Sequence, residues 1–203
     1  MPFVRKSTET VTIAAVDPAA IASKLLSCSD DERWIAARDA ANVPGSAKAL
    51  GDALLKERDT RVREAIFTSL ARIASAASVG FLLTALRSDD AALRTGTLDA
   101  LRSMKGQVSP YLVRLLQDGD ADVRLLACEL VQNLPSNDAE VLLCDLLDVE
   151  SQPNVCSAAI EVLAEVGSAR ALPALARCEE RFRATPFLAF SIKVATDRIR
   201  SQS

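Results

Sequence analysis

Apolar and polar positions recur along this chain with a period far longer than a helical turn. The segment DTRVREAIFTSLARI from Asp59 is matched by DAALRTGTLDALRSM from Asp90 and DADVRLLACELVQNL from Asp120. A looser copy, SDDERWIAARDAANV, precedes them from Ser29, and QPNVCSAAIEVLAEV follows from Gln152. Arg33, Arg63, Arg94, Arg124 and Cys156 occupy the same place in the five copies, at intervals of 30, 31, 30 and 32 residues. Within the second copy Val62, Ala65, Ile66, Ser69, Leu70 and Ile73 follow i, i+3, i+4 spacing, the stripe of an amphipathic helix.

Between these helices lie further helical segments, each opening at a capping residue. They are SAKALGDALLKE from Ser46, SVGFLLTALRS from Ser78, SPYLVRLLQD from Ser109, NDAEVLLCDLLDV from Asn137 and SARALPALARCEERF from Ser168. Asp17-Pro18 starts the first of the series, and Ala76-Ala77 is expected as a connector. Helix pairs at this period predict an all-α, right-handed α/α solenoid of about six hairpins over residues 17–203. Residues 1–16 lack the period and alternate polar with β-branched residues, which predicts an extended N-terminal arm. The last pair, 168–203, lacks the Arg and carries TPFLAFSIKVATDRIR; its aromatics are expected to seal the end of the stack.

The D-x-x-[VL]-R helix followed by an L-x-x-L-L helix, over residues 17 to about 200, resembles HEAT-repeat proteins of the short-repeat type also found in bilin-lyase subunits. The resemblance implies a scaffold or adaptor that binds another protein through a concave face lined by the second helix of each pair. The lyase chemistry is not carried over, because no chromophore-handling motif can be matched. A subunit of a lyase-type enzyme acting with a second chain is the alternative, and an adaptor in bacterial signalling falls within the first reading.

Composition narrows the chemistry. The chain has no histidine, five dispersed cysteines without a C-x-x-C pair, and 4% aromatic residues. No metal site, cofactor or catalytic residue is expected, and the cysteines read as small apolar residues of a reducing cytoplasm. No apolar run is long enough for a membrane span, and a formal net charge of −3 argues against nucleic acid as a partner.

Charge is nonetheless patterned. Residues 125–169 contain no Lys or Arg but eight Asp or Glu, after which Arg170, Arg177, Arg181, Arg183, Lys193, Arg198 and Arg200 dominate. In repeat register, the positions one and five residues after the Arg point away from the buried stripe. Trp34, Glu64 and Leu125 belong to the first row; Arg38, Asp99, Glu129 and Glu161 belong to the second; Arg72 and Glu165 lie a turn further on. These nine are the expected partner-binding residues, and an acidic strip with apolar anchors suits a basic peptide or helix of another protein. Exposed apolar ends leave room for self-association. Arg33, Arg63, Arg94 and Arg124 each follow a cap by four residues and are expected to form a structural ladder.

Overall fold

The computed structural model describes residues 17–202, except the side chains of Lys105 and Gln202; the expected N-terminal arm lies outside the described residues. The described residues form six helical hairpins. The first helices are α1 (Pro18–Lys24), α3 (Ala47–Leu54), α5 (Ala76–Ala85), α7 (Lys105–Val108) continued after a 3-10 turn by α8 (Leu112–Leu116), α10 (Ser136–Val149) and α12 (Leu172–Arg181). The second helices are α2 (Asp30–Ala40), α4 (Thr60–Ile73), α6 (Ala91–Ser103), α9 (Ala121–Val131), α11 (Pro153–Val166) and α13 (Pro186–Gln202). Each second helix packs on its own first helix and on the second helices before and after it, so one core runs the length of the stack. No described helix is long and apolar enough to cross a membrane.

The second helices start where capping chemistry places them. Ser29, Asp59, Asp90 and Asp120 have extended backbones, and their side chains accept from backbone N–H groups of the first turn. First-helix starts depart from expectation. Helix α5 begins at Ala76 rather than at Ser78, because Ala74 turns left-handed at φ 47° and Ser75 caps directly, leaving a two-residue connection. Ser46 does not cap α3; its hydroxyl donates to the Ala40 carbonyl at 2.6 Å and ties the helix to its predecessor.

Small residues let neighbouring hairpins approach. The Phe67 ring of α4 lies over Gly96 of α6, where a β-carbon would come within 2.3 Å of Cε2. The Phe81 ring of α5 covers Gly51 of α3 in the same manner, at 2.2 Å. A ring from one repeat thus fills the hole left by a missing side chain in its neighbour.

At the two ends of the described stack, charged residues stand where the inner repeats are apolar. Val62, Leu93, Val123 and Val155 are buried at one register position, and the first repeat has exposed Glu32 there. Phe67, Leu98, Cys128 and Ile160 are buried at another, and the last repeat has exposed Lys193. Among the described residues no further helix covers these positions, and the charged side chains there keep their hydration. Phe182 of the last pair packs half-buried against the core, but the α13 aromatics, contrary to expectation, do not: α13 buries Leu188, Ile192, Ala195 and Ile199 and leaves Phe187, Phe190 and Val194 exposed.

Candidate functional site

The arginine ladder is a bracing system. Each guanidinium donates to the carbonyl six residues back, in the turn within its own hairpin: Arg33 to Ser27 at 2.9 Å, Arg63 to Glu57 at 2.8 Å, Arg94 to Ser88 at 2.6 Å and Arg124 to Asp118 at 2.8 Å. Cys156 keeps the geometry without the charge, its Sγ 3.8 Å from the Glu150 carbonyl oxygen. Three rungs also reach the next hairpin. Arg33 grips Glu57 at 2.7 and 3.1 Å, Arg124 grips Glu150 at 2.6 and 3.0 Å, and Arg63 pairs with Asp90 at 2.8 Å.

A second ladder runs beside the first. Ser27, Glu57, Ser88, Asp118 and Glu150 share one register position, and each side chain accepts a backbone N–H from the turn that follows it. Burial raises the carboxyl pKa of Glu57 and Glu150, but the arginine bonds and turn N–H groups outweigh it and hold both below the usual value. Glu140, also buried, is held low against the same burial cost by bonds from Ser168 and Arg170. With folded-state values below the unfolded value near 4.5, the unfolded chain binds more protons over that window. The stabilisation is therefore complete above about pH 5 and lost as pH falls through the folded-state values. Melting temperature should hold level from neutrality to about pH 5 and then fall, less steeply in Glu57→Gln; a level profile down to about pH 3 would contradict this.

On the second-helix face, α9, α11 and the start of α13 enclose a groove of about 500 Å³, with Arg102 of α6 at one rim. Four expected residues meet there: Leu125 and Glu129 from α9, Glu161 and Glu165 from α11. Leu125, Ala158, Val162 and Phe187 supply its apolar lining. The carboxylates are not equivalent. Glu129 is paired with Arg102, and Glu165 accepts from Gln132 Nε2 at 2.5 Å, whereas Glu161 is exposed and has neither ion pair nor hydrogen bond among the described residues. Arg102, Gln132 and Phe187 were not among the expected site residues. Gln132 and Glu165 stand 33 residues apart, and Arg102 and Glu129 stand 27 apart, both close to one repeat.

The other expected residues lie elsewhere. Glu64, Arg72 and Asp99 line a separate groove of about 510 Å³ between α4 and α6, with Phe67 in its lining. Trp34 and Arg38 line neither groove. Trp34 is half-buried, with Arg38 stacked at 4.7 Å and Arg61 at 5.3 Å from its ring centroid. Much of the charge reversal along the chain is consumed internally: Arg170 pairs with Glu140 at 2.8 Å and Arg177 with Asp148 at 2.8 Å, each joining hairpins five and six. Cys128, Cys156 and Cys178 are buried, and burial pushes the Cys128 thiol up to about 12. No cluster of three metal-ligating side chains occurs among the described residues.

Comparison with known proteins places this architecture. No curated protein matches the chain. Among solved structures, it is similar to human deoxyhypusine hydroxylase in complex with glycerol, at 17% identity and a TM-score of 0.47 over 91% of this chain and 84% of the other. It is also similar to a chain from the complex of CpcE and CpcF of phycocyanin lyase from Nostoc sp. PCC7120, at 18% identity and a TM-score of 0.45 over 87% and 74%. A designed armadillo repeat protein in complex with the peptide (KR)4 aligns at 18% identity and a TM-score of 0.46 over 91% and 100%. The family of HEAT repeats matches residues 47–129 and 108–181, which together span well over half of the sequence. The chain therefore belongs to the HEAT-repeat family.

Proposed function

We propose that the protein is a noncatalytic interaction module that binds a positively charged segment of another protein in the groove of α9, α11 and α13. The observation that carries this reading is the set of carboxylates over an apolar lining, with Glu161 left without an ion pair or hydrogen bond among the described residues. An open groove between stacked helices offers extended recognition surface rather than an enclosed reaction chamber. The excess of carboxylates over the one lining arginine, Arg102, steers a cationic partner, and the apolar lining supplies contact area that salt does not screen.

Within this account Arg102 is an internal competitor, because its guanidinium occupies the Glu129 carboxylate that a bound cation would use. Fluorescence anisotropy with a labelled lysine-rich peptide provides the test. Glu161→Lys is expected to weaken binding about tenfold or more, and Arg102→Ala to strengthen it several-fold, with both effects shrinking as salt rises. An unchanged affinity in Glu161→Lys overturns the reading.

A further inference from the structure

We infer that the segment recognised by this groove is an amphipathic helix whose apolar edge lies on Phe187, Phe190 and Val194 and whose cations meet Glu161 and Glu165. The inference rests on the groove reading above and names its occupant. The three apolar side chains are 47%, 71% and 45% exposed and stand at i, i+3 and i+7 on α13, a stripe of two turns. Phe187 lines the groove itself, so the stripe is continuous with the carboxylates. Stacking does not require these residues. Phe190 and Val194 occupy the register positions of Ser157 and Glu161 in α11, and the burial that holds α13 in place comes from its opposite side, through Leu188, Ile192, Ala195 and Ile199. Large apolar groups exposed beside a groove, at positions that are polar in α11, mark a contact surface.

Geometry selects a helix. Successive members of the stripe rise by about 4.5 and 6 Å along the axis, spacings that any helix with apolar residues at i, i+3 and i+7 reproduces. Glu161 and Glu165 stand one turn apart on α11, so Lys or Arg at i and i+4 of the same ligand helix would face both. An extended segment repeats its same-side groups at one uniform interval of about 7 Å and does not match the stripe.

Two synthetic peptides of about fourteen residues and identical composition separate the outcomes: one with Leu at i, i+3 and i+7 beside a lysine edge, one scrambled. The patterned peptide is expected to bind at least about tenfold more tightly, and Phe190→Ala to bring it to the level of the scrambled one. Phe190→Leu is expected to retain most of the preference. Melting temperature should be unchanged in both variants, because this side chain is largely exposed. Equal binding of the two peptides, or an unaltered preference in Phe190→Ala, overturns the inference while leaving the acidic groove intact. Full retention of binding when a central proline breaks the patterned helix also overturns it. If neither peptide binds, the groove reading fails and the inference fails with it.

Discussion

Replacing Arg124 by alanine is expected to lower the unfolding free energy by about 3–5 kcal/mol, because it strands a carboxylate inside the protein. The Glu150 side chain is 3% exposed, and Arg124 meets it with two bonds from one guanidinium while holding the Asp118 carbonyl with a third. Without the arginine, Glu150 keeps, among the described residues, the N–H groups of Ser151 and Gln152 as donors. Arg124→Lys should recover little, since a single ammonium cannot reproduce the fork. Arg124→Ala combined with Glu150→Gln should recover more, because the buried charge is then gone as well. Urea unfolding followed by circular dichroism measures the difference, and a loss below about 1 kcal/mol would show that the ladder is ornamental to stability. In a stack whose cohesion passes from neighbour to neighbour, the damage should concentrate around α9–α11 in hydrogen exchange.

Phe67→Ala is the second large effect, at about 3–5 kcal/mol, through the cavity left between α4 and α6. Phe67 is 6% exposed and its ring occupies the space above Gly96. The reciprocal change, Gly96→Ala, should cost about 1–3 kcal/mol because the new methyl group meets that ring. The two changes together should cost less than their sum, since the alanine at position 96 partly fills the space vacated by Phe67. Strict additivity in thermal or denaturant unfolding would mean that ring and glycine are not packed as described.

Periodicity alone makes the hairpins and their arginines legible in the sequence, because each copy repeats the same cap, the same apolar stripe and the same cation. The companion ladder is hidden by its variety: Ser, Glu, Ser, Asp and Glu share a register and a job, but no residue type. What unites them is an oxygen that accepts from the next turn, which local composition does not announce. The charge reversal after Gly167 is visible in the sequence, yet its meaning depends on distance across the stack. Glu140 and Arg170 are 30 residues apart, and Asp148 and Arg177 are 29 apart, so one repeat period folds them into contact. The period alone does not show which carboxylates are spent, because Glu161 has Lys193 at 32 residues and no ion pair with it.

The acidic groove is legible only in part for the same reason. Register brings Leu125, Glu129, Glu161 and Glu165 to one surface, and the structure adds that Arg102 and Gln132 already engage two of the carboxylates. Trp34 illustrates the opposite case. A lone tryptophan in the outward row suggests an anchor, but two arginines cover its ring. Helix α13 is the hardest to read, since apolar residues are distributed around it and periodicity alone does not select the inward side. Contact with α11 and α12 selects Leu188, Ile192, Ala195 and Ile199, which turns Phe187 and Phe190 toward solvent.

The most direct test of protein binding at this groove is a nuclear magnetic resonance titration of the isotopically labelled protein with the patterned lysine-bearing peptide. The account predicts saturable shift changes confined to α9, α11 and α13, centred on Glu161 and Phe190, with the first helices unmoved. Shifts centred on the first helices α5 and α8, or no saturable change at all, would contradict it.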